Sequence, residues 1–331
     1  MAASVARVGG QTADDGRGEA GEIRSKDGPP CPLCGERLPE PTLAGIDRLF
    51  AVPGRFHVSI CVGCGAGVTV PVLESRALTA FYPPEYGTHE AVSGRTRSLV
   101  RSYRAWRDRV MWPTPPLSTL WNLQPGSLLD VGCGKGGPSA PLLRRGWSIV
   151  GLDPSPEACG VARERGIEAR IGTLQLARPD ESFDAVLFHH SLEHVSDPVD
   201  DLRRASRLLR DEGLLLLAVP DFGSWQRKVF GGRWLPLDLP RHRTHFTKES
   251  LGATLEQCGF VIRSVSTHTT LTALPLTFQF VAFGRPLFRG PISRRLMVVA
   301  YVFLFPLSFI ANRLGRGGDV LTAVASVTPQ R

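Results

Sequence analysis

The chain has 331 residues, 42% apolar and 21% charged, which excludes a wholly disordered, collagen-like or disulfide-scaffold protein and, at roughly 150 residues per domain, predicts about two folded units. Thirty-nine lysines and arginines against thirty-one acidic residues leave a net charge of +8, which admits nucleic acid, an anionic membrane or an acidic substrate as partner. Residues 1–30 lack the apolar stretch of a secretory signal, and no run reaches the length of a spanning helix, so the seven cysteines are read in a reducing, cytoplasmic setting.

Residues 1–30 are glycine, alanine and charge with little to bury, and are read as a disordered leader. A small module follows over 31–84, with Cys31-Pro-Leu-Cys34-Gly and Cys61-Val-Gly-Cys64-Gly as two knuckles. The glycine after each pair permits the turn that aims both sulfurs at one point, so Cys31, Cys34, Cys61 and Cys64 are candidate ligands of a structural Zn2+ in a zinc ribbon. Disulfides or unrelated thiols are the alternative. The module has too little core to fold alone. Over 94–112, Leu99, Tyr103, Trp106 and Val110 fall at helical spacing among arginines, which predicts an amphipathic linker helix.

From residue 120 to the end, short apolar runs alternate with helical patterns, the signature of an α/β domain with a helix-covered, mostly parallel sheet. Strands are expected at 128–131, 148–152, 169–171, 185–188, 214–219, 260–266 and 320–327. Ser155, Asp197 and Thr247 read as helix N-caps, with Gly166, Gly213 and Gly259 as the matching stops. Residues 222–246 read as a long loop carrying Trp225, Trp234 and His242, either an aromatic lid over an acceptor or a packed connection.

Directly after the first strand of this domain, Gly132, Gly134 and Gly137 satisfy G-x-G-x-x-G, which alone also fits a dinucleotide site. Asp130 shifts the balance, because a carboxylate there would face a pyrophosphate but suits a cofactor bearing an ammonium group and no phosphate. Asp153, ending the second strand, suits a ribose diol in either case.

Together, Asp130-Val-Gly-Cys-Gly, Gly151-Leu-Asp153, Ser182-Phe-Asp184, Leu192-Glu-His194-Val-x-Asp-Pro198 and the run 213–220 resemble the successive motifs of class I S-adenosylmethionine-dependent methyltransferases. The chain is most similar to the branch of ubiquinone-biosynthesis O-methyltransferases and sugar C-methyltransferases, some of which also carry an N-terminal zinc module. The resemblance implies a Rossmann-like seven-stranded sheet with an antiparallel last strand. It also implies S-adenosylmethionine held by Asp130 at its ammonium, the backbone of Gly132 and Gly134, Asp153 at the ribose, Thr173 and Leu174 about the adenine, and His189 at the border. Relatives have an acidic residue near Thr173, absent here.

Methyl transfer from a sulfonium depends on positioning, with a base only where the acceptor must lose a proton. His190 and His242 are the candidate bases, against a structural role for each. A metal on His190 and His194 is disfavoured, because the pair lacks the glutamate of H-E-x-x-H.

Residues 271–316 form an apolar, arginine-flanked insertion. Its longest block, 296–311, would reach about 24 Å as a helix, short of the roughly 30 Å bilayer core, so it suits peripheral contact with an anionic membrane at the inner face. A buried cap or a homo-oligomer interface is the alternative. Seven arginines and no acid fall between 257 and 318, so the excess charge lies there and the remainder is nearly neutral. This distribution, with no basic and aromatic stripe in the ribbon, argues against nucleic acid. The functional expectation is methyl transfer to O or C of a small, hydrophobic, lipid-linked or sugar-derived acceptor. An RNA methyltransferase and a non-catalytic interaction module are the alternatives.

Overall fold

The computed structural model describes residues 28–83, 116–270, 273–284 and 317–327, with positions 306, 310, 313 and 314 between the last two. The expected leader up to residue 27, the linker helix at 94–112 and most of the insertion lie outside the described residues.

The N-terminal module contributes β1 (Leu43–Gly45), β2 (Phe56–Ile60), β3 (Gly67–Val70) and the short helix α1 (Ser75–Thr79). The larger domain runs through α2 (Leu117–Asn122), β4 (Ser127–Val131), β5 (Ser148–Asp153), α3 (Pro156–Glu164), β6 (Glu168–Ile171) and β7 (Phe183–His189). It continues with α4 (Pro198–Leu208), β8 (Leu209–Pro220), α5 (Trp225–Phe230), β9 (Thr244–His245), α6 (Lys248–Gln257), β10 (Phe260–His268), α7 (Ala273–Phe283) and β11 (Val320–Val327).

All seven expected strands assemble into one sheet in the order β10-β11-β8-β7-β4-β5-β6. β11 runs antiparallel to both neighbours, while β4 pairs in parallel with β5 and β7. Leu128, Leu129, Val186, Leu187, Leu215, Leu216 and Leu217 are fully buried, the two-sided burial expected of strands covered on both faces.

The helix starts follow the expected capping chemistry. The Ser155 hydroxyl accepts from the Ala158 amide at 3.2 Å, Asp197 accepts from the Asp200 amide at 2.9 Å, and Thr247 forms a reciprocal capping box with Ser250. One stop differs from expectation. α4 ends at Leu208 and its chain passes straight into β8, so Gly213 lies within the strand. Leu209 pairs with Phe183 and Leu214 with Ala185, so residues 210–213 form a bulge between them, with Glu212 at a φ of 63°, and the helix has ended before the glycine is reached.

The expected loop at 222–246 is ordered structure. It forms α5, two 3-10 turns and β9, and β9 pairs antiparallel with β3, completing the sheet β1-β2-β3-β9. The small module thus borrows its fourth strand from the larger domain, and its interior is continuous with the larger core. Cys31, Leu33, Leu38, Cys61, Val68 and Val70 share one apolar cluster with Phe246, Leu251 and the strands of the main sheet. Trp234 is 2% exposed and packs with Phe56, Val58, Phe81, Phe222 and Leu239, which makes it a packed connection rather than a lid.

Of the insertion, α7 buries Leu274, Leu276, Thr277 and Phe280 against the 222–246 segment, with the Leu235 amide donating to the Thr277 hydroxyl at 3.0 Å. Phe278, Val281 and Phe283 remain exposed, with the Phe278 ring also meeting Phe230 edge-on at 5.5 Å. Among the described residues, no helix is long and apolar enough to cross a membrane.

Candidate functional site

β4 ends in Asp130-Val131 and the chain turns back through Gly132, Gly134 and Gly136, whose φ values of 73°, 52° and 70° lie in the left-handed region. The turn is pinned by the Gly132 and Cys133 amides, which donate to the Leu152 carbonyl at 2.7 and 3.0 Å. At Gly132 a Cβ would approach the Ser191 Cβ to 2.4 Å, so the loop must be glycine there to seat against the end of β7. At Gly134 nothing lies within 4 Å of the Cβ position. That open backbone is the cradle a cofactor needs.

Asp153 ties the cradle to the next helix. Its Oδ2 accepts from the Gly134 amide and its Oδ1 from the Ser155 amide, both at 2.9 Å. Asp130 sits behind the loop, 2% exposed, and burial raises its carboxyl to about 6. A buried acid without a cation has this signature, and an ammonium group placed beside it would restore the carboxylate. Affinity for an ammonium-bearing cofactor is therefore expected to be full above the raised value and to fall as pH drops through 6, because the free protein then holds Asp130 protonated. Cofactor titrations at about pH 7.5 and about pH 5 check this, with Asp130→Asn flattening the difference. Thr173 caps the turn after β6, its hydroxyl bonded to Gln175, and Leu174 is 2% exposed within the core. The open backbone at Gly134 and the buried acid Asp130 fit the steric and charge needs of an ammonium-bearing cofactor such as S-adenosylmethionine.

Beside the cradle, the carboxyl ends of β7 and β8 gather titratable groups. His189 ends β7 and His190 follows with φ at 55°, their rings 5.0 Å apart. Burial first, then His190 nearby, pushes His189 down to about 3, so it stays neutral. The His190 side chain is 36% exposed, and its Nδ1 lies 3.4 Å from Oε1 of Glu193, which is 1% exposed. His242 is placed differently. It is buried, its Nδ1 donates to the Pro236 carbonyl at 2.8 Å, and its ring meets His194 edge-on at 4.6 Å.

Three further groups on this edge escape the sequence reading. His268 at the end of β10 is lowered to about 4 by burial, and its Nδ1 is buried with no hydrogen-bond partner. Asp319, just before β11, accepts from the Thr270 amide at 2.8 Å and from the Thr270 hydroxyl, and burial raises it to about 6. Asp221 follows β8, and its amide donates to the Asp319 carbonyl at 3.0 Å. Each stands at the tip of an expected strand, and that position was the available signal.

In the small module the four cysteines come together. Their sulfurs lie within 4.8 Å of one another, with Cys31–Cys64 at 3.7 Å and Cys34–Cys61 at 3.5 Å. Four thiolates about 2.3 Å from one tetrahedral ion stand about 3.8 Å apart, so the cluster has nearly that size. Both knuckles have the same backbone, with the Gly35 and Gly65 amides donating to the Cys31 and Cys61 carbonyls at 2.9 Å. The hydrogen bond from Cys64 draws the Cys31 thiol down to about 5. The same bond raises Cys64, and burial raises Cys34, so an ion bound among the four sulfurs would displace the protons those thiols keep.

The sheet order, the glycine cradle and the acid behind it define a class I S-adenosylmethionine-dependent methyltransferase domain. Residues 101–265 match a family model described as a methyltransferase domain, and the chain carries that domain. The chain is 35% identical over 146 residues to a ubiquinone biosynthesis O-methyltransferase of Azorhizobium caulinodans, covering 40% of this chain and 58% of that one. A similarly named protein of Aeromonas salmonicida is 28% identical over 59% of this chain and 87% of its own. Among solved structures, a possible histamine N-methyltransferase of Thermotoga maritima covers 69% of this chain and 96% of its own at 22% identity and a TM-score of 0.44. The chain thus spans less than two thirds of the length of the first of these relatives.

Proposed function

We propose that the protein transfers the methyl group of S-adenosylmethionine to an oxygen or carbon of a small acceptor lying over the ends of β7 and β8. The observation that carries this reading is the junction of two features: an open glycine cradle backed by Asp130, and a neighbouring edge holding His189, His190, His268 and Asp319. S-adenosylmethionine, when held by this cradle, would supply a methyl carbon already activated by its sulfonium, which an acceptor's electron pair would take as the carbon–sulfur bond broke. Where the acceptor is a hydroxyl, its proton passes to His190, whose far face is exposed to the edge and whose Nδ1 side is backed by Glu193. The named relatives favour oxygen as the acceptor atom, and the apolar α7 beside the site favours a hydrophobic or lipid-linked molecule. The four cysteines hold Zn2+ as a folding element, since four thiolates leave no position for chemistry.

The test uses metabolite extract from a deletion strain, in which the acceptor accumulates one methylene lighter than its product. Purified protein with labelled S-adenosylmethionine is expected to label that compound. His190→Gln should slow a hydroxyl transfer by about 10²–10⁴-fold with cofactor affinity unchanged. Full-rate transfer by the variant would remove His190 from the role, and no labelling of any compound by the wild type would contradict the reading itself.

A further inference from the structure

A second cluster of ligand-type side chains lies at the junction of the small module and the main domain, apart from the four cysteines. Glu193, His194 and His242 bring ligand atoms within 4.8 Å of one another. The geometry points to a binding site for a divalent transition-metal ion of the Zn2+, Fe2+ or Co2+ type, held by the Glu193 carboxylate and the Nε2 atoms of His194 and His242. Three independent features carry it.

The first is tautomer. His242 Nδ1 lies 2.8 Å from the Pro236 carbonyl and His194 Nδ1 lies 3.1 Å from the Arg241 carbonyl. A carbonyl only accepts, so each Nδ1 carries a proton and Nε2 is the nitrogen of each ring left to meet an ion. Metal-binding histidines are oriented by this same arrangement, the non-ligating nitrogen donating to a carbonyl. The Tyr82 hydroxyl, 3.0 Å from His194 Nδ1, further fixes that ring.

The second is an unpartnered acid. Both oxygens of Glu193 are buried without a hydrogen-bond partner, while Oε1 lies 3.9 Å from His242 Nε2, too far for a shared proton but suited to an intervening ion. A carboxylate left so is costly unless something positive meets it. Oε1 also faces His190 Nδ1 at 3.4 Å, so that one oxygen stands between the two rings.

The third is charge. The groups packed here are the carboxylates of Asp47, Asp238 and Glu193 against the guanidinium of Arg241, which pairs with Asp47 at 2.8 Å and Asp238 at 2.6 Å. Counting Arg243, half-buried near Tyr82, three carboxylates stand against two guanidiniums, a net −1 that favours an added cation. Two imidazoles and a carboxylate suit borderline metals and leave open positions for water or an acceptor oxygen.

The experiment loads the full chain with Co2+ after chelation and records metal content and absorption. The wild type is expected to hold two ions: one with thiolate charge-transfer bands, one with nitrogen and oxygen ligand-field bands alone. Glu193→Gln and His242→Ala should each lose the second ion and keep the thiolate bands, whereas Cys31→Ser should lose the thiolate bands. Titration with S-adenosylmethionine reports separately whether each variant is folded. A wild type showing only the thiolate-bound ion, or a folded Glu193→Gln with both ions, would overturn the assignment.

Discussion

Cys31→Ser is expected to release the Zn2+ proposed for the small module and to unfold that module in the intact chain. Zinc content should drop by one ion, and the melting transition should fall or split. The magnitude follows from linkage. Structural zinc sites in isolated fingers are worth apparent binding energies of about 10–16 kcal/mol at pH 7, and this module has little else of its own. Cys31 and Cys61 are each 2% exposed within the cluster that also contains Val68, Val70 and Phe246. Loss of the ion therefore exposes apolar surface shared with the main domain. The damage should spread to β9, which pairs with β3 while the Thr69 hydroxyl meets His245 Nε2 at 2.9 Å. Unchanged zinc content and an unchanged melt would show that the cysteines act separately.

Arg241→Ala should destabilise the protein by about 3–5 kcal/mol, because removing one partner of a buried ion pair leaves the others uncompensated. Arg241 is fully buried, donates to Asp47 and Asp238, and also donates to the Phe81 carbonyl at 2.8 Å. It joins three chain segments in one place: the turn after β1, the end of the small module and the segment leading to β9. Arg241→Lys should recover only part of the loss, since an ammonium cannot make the forked contacts. Urea denaturation of both variants measures this, and a loss below about 1 kcal/mol for the alanine variant would show that the triad contributes little net stability.

The sheet was legible because each strand is short, apolar and bounded by caps or glycines, and because the acid near the end of β4 and the glycines of the turn that follows fall in one short run from Asp130 to Gly137. The two knuckles were legible for the same reason, their geometry being local. What escaped is non-local. Nothing in residues 222–246 announces that Thr244 and His245 complete a sheet begun near residue 43, since the pairing depends on where two distant segments dock. Asp47, Tyr82, Glu193, His194, Arg241 and His242 come from four separate stretches, so no spacing rule places them together. His190 and His194 alone lack the glutamate of H-E-x-x-H. The third group beside Glu193 and His194 comes from the distant His242. The stop expected at Gly213 falls in a bulge of β8, past the end of α4 at Leu208.

The central claim, that the cradle between Asp130 and Asp153 binds S-adenosylmethionine, is tested most directly by calorimetric titration of the zinc-loaded full chain. Saturable binding of one equivalent is expected at neutral pH, weakened about 10- to 100-fold in Asp130→Asn, in keeping with about 1.5–3 kcal/mol for a charge-assisted contact. No binding by the wild type, or equal binding by Asp130→Asn, would contradict it.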